Sequence, residues 1–220
     1  MAVFAGDGFT SRYSHPWLAD TLFAFDASLR RHHGIIEYSA HPDCIFRIEI
    51  APARRRLTLA DGTQLRPGER IVRLHFWNAH IPAVPKRGTT LRWARRMQRC
   101  ISISLHELAR YLSSEPDLCD ISVVCGDVPS ATRGQCQQIE HIMAYYGFET
   151  IMDTRRLPLG ERVHRLGENI LISLTVFAQN PATLRCDTLR RVRVPIYLSR
   201  RILECKFGSV TTGVGAVGAR

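Results

Sequence analysis

The chain has 220 residues, 45% of them apolar and 23% charged, and a formal net charge of +10. That composition is enough for a sizeable core and excludes wholesale disorder. No run approaches the about 18 apolar residues of a membrane span, and residues 1–17 lack the charged start and apolar stretch of a secretory signal.

Residues 1–13 carry Gly6 and Gly8 without periodicity, and a flexible start is expected there. A helix is predicted from Ser14, a suitable N-cap, with Pro16 in its first turn. Leu18, Leu22, Phe25 and Leu29 form its apolar face, and Gly34 closes it. Residues 45–50, 57–59 and 71–77 then read as strands, separated by the turn signals "ADGT" and "RPGE". The pattern is that of an antiparallel meander.

After the loop 82–90, residues 91–114 form the strongest predicted helix, ended by Pro116. Ala94, Met97, Ile101, Leu105, Leu108 and Leu112 share one side of it, and Arg92, Arg95, Arg99, His106 and Arg110 another. Residues 120–128 read as a buried strand, and a helix opening near Ser130 or Thr132 closes at Gly147. Residues 167–180 are predicted helical, although their β-branched content also allows a strand. A short strand and a last helix from Pro195 follow, and residues 208–220 are a small-residue tail. The expected architecture is one α+β domain over residues 14–207, with an early meander, a further central strand and about five helices.

The leading site candidate is "RIVRLHFWNAHIP", residues 70–82. Alternation puts Val72, Leu74, Phe76 and Asn78 on one side of a strand and Arg73, His75 and Trp77 on the other. The first set is the core side, with Asn78 placed to satisfy turn backbone. The second sets an imidazole between a guanidinium and an indole, which suits a small anion or a sugar; a packed Trp beside a structural Asn fits the same pattern. His75 and His80 lack the further ligands that a metal needs, so no metal and no cofactor are expected.

A second candidate is "VVCGDVPSATRGQ": a strand ends in Gly126 and Asp127 and a helix opens near Ser130 or Thr132, where backbone N–H groups with Arg133 could hold a phosphate or carboxylate; ordinary capping is the plainer explanation. It fits neither the P-loop nor the dinucleotide pattern. A third is the basic surface Arg92, Arg95, Arg99 and Arg110, with Trp93 at a headgroup boundary. A solvated helix face is the plainer explanation. Seven cysteines, an odd number without a CxxC pair, argue against a zinc ribbon or a disulfide framework and for reduced thiols in the cytoplasm.

Taken together, "CIFRIEI", "LADGTQLRPGERIVRLHFWN", "VCGDVPSATRGQCQQIEHIMAYYGFE" and "VPIYLSRRIL" resemble the bacterial YkoP-like domain over residues 40–205. The matching positions are Ile45, Phe46 and Arg47; Asp61, Gly62 and Thr63; His75 and Asn78; Arg133 and Gly134; Gly147, Phe148 and Glu149. Trp77 after Phe76 departs from the family pattern. Relatives joined to polysaccharide deacetylases imply a setting among envelope glycans or lipid-linked sugars. The resemblance carries over no catalytic residue.

The expected function is that of a cytoplasmic, non-catalytic module of bacterial envelope machinery, peripheral to the membrane where it binds an acidic surface, and without a transmembrane segment. Its expected partner is an anionic lipid or a phosphorylated or glycan ligand, bound through Arg73, His75 and the arginine stripe. One alternative is an enzyme on a glycan or lipid-linked substrate, with His75 as acid/base and Asn78 orienting it. Nucleic-acid binding is the less favoured alternative, because no motif for it is present.

Overall fold

A computed structural model describes residues 34–77, 80–83, 85, 88, 90–130, 133–151 and 192–208. Seven strands run in chain order: β1 (Phe46–Pro52), β2 (Leu57–Thr58), β3 (Gln64–Leu65), β4 (Arg70–Phe76), β5 (Val123–Ser130), β6 (Glu149–Thr150) and β7 (Val192–Ser199). Three α-helices, α1 (Leu91–Ser114), α2 (Arg133–Tyr145) and α3 (Arg200–Phe207), and a 3-10 turn (Pro116–Leu118) complete the described elements. The expected α+β class is found. The helices predicted from Ser14 and over 167–180, and both chain termini, lie outside the described residues.

Five strands form one mixed sheet in the order β1-β4-β5-β7-β6. β1 and β4 are antiparallel and β4 and β5 parallel, with α1 as the crossover. β7 enters antiparallel between β5 and β6, which makes β5-α2-β6 a split β-α-β unit. The early strands therefore differ from a simple meander. Residues 57–58 pair with 64–65 in a separate hairpin, and β1 pairs directly with β4. The reason is the "ADGT" turn: Gly62 at φ +85° folds this segment back on itself before it can reach the main sheet.

Alternation along the strands divides the core in two. Ile48, Val72, Leu74, Val124, Ile196 and Leu198 join Leu105, Leu108 and Leu112 of α1 and Leu203 of α3 on the helix side. On the other side Ile71, Val123 and Cys125 pack with Leu57, Leu59 and Leu65 of the hairpin. α1 has its predicted bounds, with Thr90 Oγ1 accepting from Trp93 N at 3.2 Å as the N-cap.

The last helix starts later than expected. Pro195 lies within β7 opposite Asp127, and the N-cap is Ser199, whose Oγ accepts from Ile202 N at 3.1 Å. Buried Val194, Ile196 and Leu198 alternate, so strand pairing prevails over the helix-start signal of the proline. β5 also runs on to Ser130, which places that residue in a strand rather than at a helix cap.

Candidate functional site

A polar row crosses all five strands on the hairpin side of the sheet. Glu49 pairs with Arg73, Arg73 with Cys125, Cys125 with Tyr197, and Tyr197 with Glu149. Paired residues point to the same face, so the strand order alone brings these side chains into line. Glu49, 14% exposed, lies 2.9 Å from His75 Nε2 and 3.8 Å from Arg73 Nη1. The ring N–H of His75 donates to this carboxylate. At the other end Arg55 Nη2 donates to Tyr197 Oη at 2.7 Å.

Burial raises the Tyr197 hydroxyl above its ordinary range, although Arg55 pulls it back. Burial likewise pushes the Cys125 thiol up to about 11 against the opposing pull of Arg73. A thiol so held is almost wholly protonated at neutral pH and is a poor nucleophile.

The expected trio of Arg73, His75 and Trp77 does not form one ligand surface. Arg73 and His75 share Glu49, while the Trp77 ring stacks on His80 at 3.6 Å and carries the Arg47 guanidinium at 4.4 Å. Arg47 is 7% exposed and paired with Glu37 at 3.0 Å. His80 Nδ1 donates to the Cys44 carbonyl at 2.8 Å. His75 and His80 thus bond to different partners, and among the described residues no three His, Cys, Asp or Glu side chains gather as for a metal. Asn78 lies outside the described residues.

Asp127 is exposed in the middle of β5, three residues short of the strand's end, so the strand does not end at Gly126 and Asp127 as expected. α2 begins at Arg133, whose side chain lies outside the described residues. β4 and β5 stop pairing beyond Leu74 and Gly126. The apolar crevice at that fork touches His75 and Asp127 and holds about 30 Å3. That is room for about one water molecule and offers a sugar ring no pocket.

The arginine stripe lies on the other side of the sheet. Arg92, Arg95, Arg96 and Arg99 are exposed on the first half of α1. Within the helix the first acid is Glu107. Arg110 leaves the stripe because it pairs with Glu107. Trp93 leaves it too: its Nε1 donates to the Pro82 carbonyl at 3.0 Å, which turns the indole to the loop and away from a headgroup boundary. The sheet therefore separates Arg73 and His75 from the stripe with which they were expected to act.

Sequence reasoning missed Glu49, Arg96, Arg55 and Tyr197. Glu49 is the lone acid of "CIFRIEI", and an antiparallel pairing with β4 would have placed it opposite Arg73. Arg55 and Tyr197 stand 142 positions apart and gave no local signal.

The YkoP domain family matches residues 21–137, just over half of the chain, and the chain belongs to that family. No curated protein and no solved structure matches it. The matched span begins ahead of the quoted motifs and stops inside α2, before "GFE" and "PIYLS". Yet β6 and β7, which lie beyond it, complete the same sheet.

Proposed function

We propose that this domain is a non-catalytic module that docks on an anionic, phosphate-bearing surface through the first half of α1. In the bacterial envelope setting that the resemblance implied, the cytoplasmic face of the membrane is a surface of this kind, near glycan or lipid-linked machinery. One observation carries the reading: Arg92, Arg95, Arg96 and Arg99 crowd the positive pole of a helix without an acid before Glu107. Like charges at these spacings repel, and the helix dipole opposes cations at this end. The arrangement costs stability in isolation, and a bound polyanion offsets that cost.

Other arginines are matched in place. Arg70 pairs with Asp120 at 3.0 Å, Arg200 with Glu204 at 2.6 Å and Arg201 with Asp61 at 3.4 Å. Each arginine close to an acidic leaflet contributes about 1 kcal/mol, which makes four of them sufficient for reversible docking.

Co-sedimentation with acidic and neutral vesicles tests the proposal at low salt and at about 0.15 M. Binding to acidic vesicles alone, weakened by salt, is expected. Failure to bind acidic vesicles at low salt would overturn it.

A second reading rests on the contact between His75 and Glu49. A carboxylate that orients an imidazole suits proton transfer, as an enzyme on a glycan would need.

A further inference from the structure

Among the described residues four large apolar side chains are exposed: Phe76, Leu91, Ile142 and Tyr145, at 38%, 69%, 52% and 66%. Scattered single exposures are ordinary. Three of these lie on the two crossover helices, Leu91 at the start of α1 and Ile142 and Tyr145 near the end of α2. Leu91, Arg95, Gln98 and Ser102 recur at four, three and four, which puts them on one flank of α1. That flank faces α2, because Tyr146 Oη donates to the Gln98 carbonyl at 3.4 Å.

Ile142 precedes Tyr146 by one turn, so it stands on the side of α2 that faces α1. The Tyr145 ring sets its edge against Tyr146 at 5.2 Å, and Lys206 Nζ donates to the Tyr145 carbonyl at 3.0 Å. A further cation thus joins the apolar rim. α2 adds one half-buried acid, Glu140, beside exposed His141.

We infer that Leu91, Ile142 and Tyr145 are the insertion residues of a membrane-docking face, entering the headgroup layer of an acidic bilayer while Arg92, Arg95, Arg96 and Arg99 hold its lipid phosphates. The inference rests on the reading proposed above and narrows the anionic surface to a bilayer. Charge complementarity selects the acidic lipid, and the aliphatic rim selects the bilayer. Leucine and isoleucine gain free energy by leaving water for the acyl boundary but offer a nucleic-acid base no stacking platform, which leaves Tyr145 alone among the three to stack on one.

The test uses the full chain and vesicles that contain acidic lipid with brominated acyl chains. Tyr145→Trp should show quenching beyond that of the unsubstituted protein, whose three tryptophans supply the background. Leu91→Ser with Ile142→Ser should weaken vesicle binding by about tenfold at moderate salt. Binding of that variant to heparin should match wild type, and its thermal melt should not move, because both side chains are exposed.

If wild type binds acidic vesicles but the double variant binds equally well and Tyr145→Trp gains no quenching, insertion is overturned and the charge-only reading stands. If wild type does not bind acidic vesicles, both fall. Tighter binding to an RNA oligonucleotide than to vesicles would overturn the bilayer in favour of nucleic acid.

Discussion

Asp61 Oδ2 accepts a 2.6 Å hydrogen bond from Ser199 Oγ, and this joins the "DGT" turn to the start of α3. Thr63 N donates to the other carboxylate oxygen at 2.9 Å, and the Asp61 side chain is only 6% exposed. Burial pushes the Asp61 carboxyl up. The Ser199 and Thr63 hydrogen bonds, with the Arg201 guanidinium, outweigh it and hold the group below the ordinary carboxylate range. Glu149 docks the same turn, with both carboxylate oxygens 2.9 Å from Ala60 N.

Ser199→Ala should therefore destabilise the fold by about 1–3 kcal/mol, since it leaves a shielded carboxylate short of a donor. A lowered carboxylate pKa contributes stability that is complete above the unfolded-state value, about 3.9, and is lost as pH falls through the folded-state value. Urea unfolding at pH 7 and pH 3 should show wild type losing more stability than Asp61→Asn over that interval. Equal losses would mean that Asp61 is not held as described.

Gly147 closes α2 at φ +91°, and a Cβ there would meet Ile202 Cγ2 at 2.7 Å. Backbone conformation and space both demand glycine. Gly147→Ala should cost about 2 kcal/mol or more in denaturant unfolding. A cost below the error of the measurement would show that α3 can move aside.

The two groups of cations on opposite sides of the sheet should separate in vesicle binding. Arg96→Ala or Arg99→Ala should weaken binding by about fivefold each, the equivalent of about 1 kcal/mol. Arg110→Ala should change little, because Arg110 is already paired with Glu107. His75→Ala should leave binding unchanged and cost about 1 kcal/mol of stability, as Glu49 keeps Arg73. Lost vesicle binding in a folded His75→Ala protein would move the docking face to the hairpin side.

Thiol labelling at neutral pH should discriminate by burial. Cys119 and Cys205 are exposed, whereas Cys125 is buried and its thiol is pushed up to about 11. Peptide mapping after brief iodoacetamide treatment should find Cys119 and Cys205 modified and Cys125 intact. Early modification of Cys125 would show that the hairpin opens.

Much of the fold was legible in local pattern. The 3.6-residue period of α1 and the two-residue alternation of β4 identify both elements and their inward faces, because burial of one side dictates sequence at that spacing. "ADGT" was legible as a turn, but its pairing was not. Whether the chain folds back on itself or continues into the sheet depends on which partner strand it meets. Pro195 misled for a similar reason: a proline fixes its own φ, which a strand tolerates, so the signal was local and the outcome was not.

For the candidate site the division is sharper. The sequence by itself determined a basic α+β chain, the arginine periodicity of α1 and the resemblance that the family match bears out. Only the tertiary structure decided which charges stand matched. Glu49 reaches His75 across 26 positions, and Arg201 reaches Asp61 across 140. Side-chain charge is a property of each residue, whereas its neutralisation depends on which strands and helices become neighbours. By that pairing Arg73 and His75 became an internal cluster, and the first half of α1 kept its positive face.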